Sequence, residues 1–154
     1  MDNFESLDHE QFIERACELA REAGERGDGP YGSVLVIDGE IIMEAANREN
    51  TRENISQHAE LTLARRASNE LEPEIIKKAI IYTSTEPCPM CATGITYTDL
   101  KGVVYAVSGE RVSEIRGQST GTIPCREVFD RLGASTSLYG PVSEQKGIAV
   151  HKEY

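Results

Sequence analysis

The chain lacks any run long enough to cross a membrane. Its aliphatic stretches, such as Val34 to Ile37 and Ile41 to Met43, fall far below the roughly 20 apolar residues of a spanning helix. It also lacks the opening of a secretory leader: Asp2, Glu5, Asp8 and Glu10 stand where a basic start and an apolar stretch belong. A cytoplasmic protein with no membrane partner is therefore expected. Positive charge is scarce, with 16 basic residues against 26 acidic ones and a formal charge of −10. That balance opposes a nonspecific grip on a phosphate backbone, so no nucleic-acid partner is expected. There is no internal repeat and no low-complexity tract. What is present suits one domain over residues 1–154, since 39% hydrophobic content at this length lets a chain bury roughly two thirds of its unfolded surface.

Periodicity outlines the elements. Phe12, Ile13, Ala16, Cys17, Leu19, Ala20 and Ala23 recur at helical spacing, with Asp8 as the expected N-cap and Gly24, Gly27, Gly29 and Pro30 as the stop. Ser33–Ile37 and Glu40–Asn47 read as strands joined at Asp38-Gly39, a hairpin turn. A polar loop to Gln57 leads into His58-Ala59-Glu60 and a helix ending by Pro73. Ala79–Thr83 reads as a strand, Pro89 to about Asp99 as a helix with proline in its first turn, and Gly102–Val107 as a strand. Ser108–Thr122 has no period and reads as loop, and Cys125–Leu132 as a short helix. The apolar residues around Leu138 and Ile148–Val150 are read as short strands or a C-terminal arm from about 134. His9 and His151, among charges near the ends, are expected to be solvated. The order of elements predicts a three-layer α/β/α sandwich with a mixed central sheet, its hairpin supplying one antiparallel pair and its helical crossovers parallel ones.

Four cysteines are present, and Cys88 and Cys91 form a close pair. In a reducing compartment such a pair is more often a metal or redox site than a disulfide. Alone it fits a structural zinc knuckle as well as a catalytic site. Joined to His58 it offers one imidazole and two thiols, the ligand set of a zinc site left open at its fourth position. Zinc lowers the ionisation of a water there to near neutral pH. Glu60, two residues after His58, approaches the same metal only if His58 stands at the helix entry in non-helical geometry. A carboxylate so placed takes a proton from water and returns it to a leaving group. Cys125 is the candidate for a closing fourth ligand, against the reading of a buried thiol, and Cys17 belongs to the core. Glu110 and Glu114 are either substrate contacts or solvated carboxylates.

His58-Ala59-Glu60 followed by Pro87-Cys88-Pro89-Met90-Cys91 resembles the signature of the zinc-dependent cytidine deaminase superfamily. The likeness runs from Pro30-Tyr31-Gly32 to the Gly102–Val107 strand. Thr85-Glu86-Pro87-Cys88-Pro89-Met90-Cys91 is most similar to the branch of guanine deaminases, fungal-type cytosine deaminases and tRNA adenosine deaminases. The resemblance implies a cytidine deaminase-like fold and one Zn2+ per subunit on His58, Cys88 and Cys91. It also implies Glu60 as the catalytic proton shuttle, Asn47 as a hydrogen-bond partner of the base, Tyr31 as a wall of the pocket, and a homodimer. Ser108–Glu114 departs from the tRNA-acting pattern and, with the charge, favours a small-molecule nucleobase, guanine first and cytosine second. The alternatives are deamination of an adenosine in tRNA and, from another class, a non-catalytic zinc-stabilised binding module.

Overall fold

The computed structural model describes residues 7–118 and 121–154. Its organising piece is the hairpin of β1 (Gly32–Ile37) and β2 (Glu40–Ala46). Asp38 at φ 49° and Gly39 at φ 80° give the turn the primed geometry that matches strand twist. β3 (Ile80–Thr85), β4 (Gly102–Val107) and β5 (Ser137–Tyr139) complete a sheet of order β2-β1-β3-β4-β5. β1 is antiparallel to both β2 and β3, whereas β4 and β5 run parallel to β3. The sheet is mixed, with two antiparallel pairs instead of the one expected. β3 returns parallel to β2 but enters on the far side of β1, so β1 is enclosed by partners of opposite direction. Hence both central strands, β1 and β3, are buried on their two faces and read as near-continuous apolar runs.

One face of the sheet is covered by α1 (Glu10–Arg26) and α7 (Glu144–Glu153), whose Ile13, Cys17, Ala20 and Val150 pack on Val34, Val36, Tyr82 and Val104. The other is covered by α2 (Ala59–Glu70), the short α3 (Pro73–Ile76), α4 (Pro89–Thr96) and α6 (Cys125–Leu132). There Leu63, Ile95 and Phe129 meet Leu35, Ile81 and Val103. These are the three layers expected. Among the described residues, no helix is long and apolar enough to cross a membrane.

Several local expectations are corrected. The N-cap of α1 is His9, not Asp8. Its ring is 5% exposed, with Nδ1 2.7 Å from the Tyr82 hydroxyl, so aromatic packing supplies what solvent was expected to. The stretch read as loop after β4 contains a helix, α5 (Gly109–Arg116), whose N-cap Ser108 hydroxyl accepts from the Arg111 N–H. Its weak apolar pattern reflects a single buried residue, Val112; residues 119–120 of that stretch lie outside the described ones. α3 lies between the helix expected to end by Pro73 and the strand expected from Ala79, where no element was expected. Leu138 lies in a strand, but Ile148–Val150 lie in α7.

Gly32 marks the tightest contact between layers. A β-carbon there would lie 2.5 Å from the Ala16 carbonyl oxygen and from the Ala20 nitrogen, so α1 sits directly on the β1 backbone. Gly32→Ala is expected to destabilise the fold by about 1–3 kcal/mol through overpacking. This is measured as a lower urea midpoint at unchanged slope; an unaltered midpoint would mean that α1 yields freely.

Candidate active site

The candidate residues gather at the carboxyl ends of the parallel strands β3 and β4, where open α/β sheets expose helix N-termini and loops. His58 is the N-cap of α2, extended at φ −87° and ψ 145°, the non-helical entry that the two-residue spacing to Glu60 demands. Cys88 is the N-cap of α4, Pro89 opens that helix, and Cys91 lies one turn in. The chain thereby turns both sulfurs toward one imidazole nitrogen: His58 Nδ1 is 3.6 Å from Cys88 Sγ and 3.7 Å from Cys91 Sγ. A nitrogen and a sulfur held tetrahedrally by zinc at about 2.1 and 2.3 Å would stand about 3.6 Å apart. The three ligand atoms, mutually within 4.8 Å, therefore fit one zinc ion. Cys125 is not among them; it is buried beside Phe129 in the apolar cluster under α6, and burial pushes its thiol up to about 12.

The electrostatics of the trio suit a metal. Hydrogen bonding to Cys88 raises the His58 ring to about 9 against the opposing effect of burial. Proton sharing with Cys91, and then the His58 ring, hold the Cys88 thiol low. His58 Nε2 faces Glu49 Oε1 at 3.5 Å, a carboxylate that orients the ring from behind.

Glu60 is 5% exposed. Its Oε1 accepts from Thr83 Oγ1 at 2.7 Å and lies 2.9 Å from Ser33 Oγ. Burial raises its pKa and the two hydroxyls oppose that rise. The hydroxyls meet because Ser33 pairs with Thr83 across β1 and β3, on the side of the sheet that faces α2. Oε2 accepts no hydrogen bond from a described residue.

Asn47 and Tyr31 join the same cavity, about 350 Å³, with Glu49, His58, Glu60 and Cys88. Asn47 Oδ1 accepts the Glu49 N–H at 2.9 Å, an orientation that leaves the amide N–H groups as donors. Glu110 and Glu114 are exposed, and Glu114 pairs with Arg111 at 2.9 Å.

Several supporting residues escape a sequence reading. Asp28 takes backbone N–H groups of Asn50 and Thr51, the Thr51 hydroxyl and Arg26, all within 3.0 Å. Arg26 also donates to the Asn47 carbonyl at 2.8 Å, so the end of α1 pins the segment carrying Asn47 and Glu49. Glu86 accepts the N–H groups of Gly109 and Cys125 at 3.1 and 2.6 Å, joining the starts of α5 and α6 at the cavity rim. The available signal was a polar residue amid apolar ones, as at Ser33 and Thr83, but its partner lies tens of residues away.

Two outcomes are expected. Zinc affinity should rise with pH through the neutral range, by about tenfold per unit for each proton displaced from the trio, in competition with a chromophoric chelator; a pH-independent affinity would mean that no protonated group of the trio binds the metal. Burial alone would raise Asp28, yet its four donors hold it down to about 2. A depressed folded pKa gives stability that is complete above the ordinary aspartate value of about 4 and lost as pH falls toward 2. Asp28→Asn should therefore lower the melting temperature at pH 7 and shrink the fall between pH 4 and 2.

Residues 6–107 match the family described as the cytidine and deoxycytidylate deaminase zinc-binding region. The guanine deaminase of Bacillus subtilis (strain 168) is 40% identical over 109 residues, covering 70% of this chain and 70% of that protein. A tRNA-specific adenosine deaminase of the same strain is 36% identical over 137 residues, covering 89% of this chain and 82% of that one. A solved structure from work on A-to-I editing by tRNA deaminases at the wobble position superposes with a TM-score of 0.74 at 26% identity. It covers 92% of this chain and 99% of its own.

Proposed function

Because the chain belongs to the zinc-binding cytidine and deoxycytidylate deaminase family, and is thus a deaminase, we propose that its substrate is a free nucleobase or related amino-heterocycle, guanine first and cytosine second. The observation that carries this reading is the lining of the cavity. It contains Glu49, Glu60 and Glu86 and, among the described residues, no lysine or arginine. A neutral ring with N–H edges suits such a lining; a phosphate does not. The 40% identity to the Bacillus guanine deaminase supports the order of bases.

His58, Cys88 and Cys91 would hold the zinc ion, which when bound supplies a water ionised near neutral pH. Glu60 performs the proton transfers. With Oε1 held by Thr83 and Ser33, Oε2 is the oxygen that accepts a proton from water. It gives that proton to the ring nitrogen beside the C–NH2 carbon, then takes the proton of the added hydroxyl group as the C=O forms and delivers it to the departing ammonia. The balance is one water consumed, one C–N bond broken, one C=O formed and one ammonia released. The Asn47 amide donates to an acceptor on the ring edge. Tyr31, half-buried in the cavity wall, offers an apolar face beside it. Burial keeps the Glu60 carboxyl weakly acidic, which suits a group that must both take and give a proton.

A second reading, deamination of an adenosine in tRNA, is favoured by one specific feature. Beyond the segment carrying Asn47 and Glu49, a groove along β2 between α1 and α2 gathers Arg15, Arg26, Arg48, Arg52, Arg65 and Arg66. Arg15 and Arg26 are engaged by Glu44 and Asp28. Arg48, Arg52 and Arg65 have no ion-pair partner among the described residues, and they make a local basic patch on an acidic chain. The similarity to the Bacillus tRNA-specific deaminase over 89% of the chain points the same way.

Ammonia release from guanine, cytosine, adenine and cytidine, run beside inosine formation in a transcribed tRNA, separates the two. Turnover of guanine without inosine supports the first reading, and inosine without free-base turnover replaces it. Glu60→Ala should lower kcat by at least about a hundredfold while the protein retains zinc. Preserved turnover would mean that another group carries the proton.

A further inference from the structure

None of the chemistry above uses His151, although α7 brings it under the cavity. The ring is 4% exposed, not solvated as the sequence suggested. Its Nε2 lies 2.7 Å from Thr85 Oγ1 and its Nδ1 lies 3.1 Å from an Arg116 terminal nitrogen. Its ring meets Tyr31 at a tilt of 59°, with 5.3 Å between centroids. Thr85 and Tyr31 both line the cavity.

These contacts determine where each proton sits. A guanidinium only donates hydrogen bonds, so Nδ1 must accept the one from Arg116. Burial and then the Arg116 charge push the ring down to about 4, so near neutral pH it carries one proton, and that proton is on Nε2. The Nε2–H group therefore donates to Thr85 Oγ1. A hydroxyl whose oxygen already accepts has its proton free to donate elsewhere. No described residue accepts it, and Thr85 is 6% exposed at the cavity wall. Arg116 Nε is itself buried with no partner among the described residues, so the guanidinium holds the imidazole while leaving one of its own donors unpaired.

We propose that the Thr85 hydroxyl is a base-recognition donor whose polarity is set by the Arg116–His151 pair. It donates to a carbonyl oxygen or an unprotonated ring nitrogen of the bound heterocycle and discriminates against an N–H at the same position. His151 and Arg116 are positioning residues, since they act through Thr85 and Tyr31 and do not touch the base. A lone threonine hydroxyl could turn its proton either way; here one orientation is imposed from the second layer. The proposal rests on the base-deaminating reading for the nature of the ligand only, and the tautomer of His151 is independent of it.

The test uses the zinc-loaded full chain. Nitrogen NMR of the histidine side chains should find His151 neutral, protonated on Nε2 and bare on Nδ1; the opposite tautomer overturns the proposal. In kinetics with guanine, or cytosine if guanine is not turned over, Thr85→Val should raise KM about tenfold, the loss of one hydrogen bond, with a smaller change in kcat. Thr85→Ser should restore most of it. His151→Phe, which keeps an aromatic ring beside Tyr31, should raise KM in the same direction. An unchanged KM in Thr85→Val, or no rescue by serine in a folded variant with full zinc content, overturns the role. If wild-type protein releases ammonia from neither base, the functional reading fails separately. Guanine titration followed at His151 Nε2 then tests the donor directly: a shift lost in Thr85→Val supports it, and no shift overturns it.

Discussion

The site depends on keeping the Glu60 carboxylate out of water without leaving it unpaired. A buried carboxylate lacking partners neutralises or destabilises its surroundings, and here two hydroxyls oppose that tendency without cancelling it. Ser33 and Thr83 face each other across β1 and β3 on the side covered by α2, so the register of one strand pair places both donors under one oxygen. A slip of one residue in either strand would send its hydroxyl to the opposite face and leave the carboxylate with a single donor. The rest follows from that anchor. α2 must begin where Glu60 can reach the hydroxyls, His58 must then be extended to turn toward Cys88 and Cys91, and the hairpin must hold β1 in place beside β3.

Charge is organised locally, against the average. The net −10 of the chain describes neither the cavity, which gathers three glutamates around His58 and Cys88, nor the β2 edge, where arginines cluster. The two regions are separated by the segment that Asp28 pins. A small neutral heterocycle needs only the first, whereas a polynucleotide would use both. Fold similarity to a structure from work on tRNA deaminases and sequence similarity to a guanine deaminase are therefore not in conflict, because one scaffold carries more than one function.

Much of this was legible in the sequence. The ligand spacing, the Asp38-Gly39 hairpin, the proline opening α4 and the boundaries of β4 and α6 are local signals, and local chemistry determines them. The same holds for the extended entry at His58, which follows from the spacing alone. Whatever depends on contacts distant in sequence was hidden. Asp8 has good capping chemistry, but His9 starts the helix because Tyr82 and Tyr139 pack around its ring. α5 buries a single residue, too few for a period to show. His151 reads as a solvated end until α7 is seen folded against β4. Glu86, inside the recognised motif, was overlooked because its partners, the N–H groups of Gly109 and Cys125, belong to backbone and leave no mark on side-chain patterns.

That glutamate has a mechanical consequence. By accepting from the first turns of both α5 and α6, one carboxylate couples two helices that share few other contacts, and both approach it with the positive ends of their dipoles. Neither helix can swing outward alone without stripping a partner from a partly buried carboxylate two residues before Cys88. The two helix starts on that side of the rim are thereby tied together through one side chain of the cavity lining.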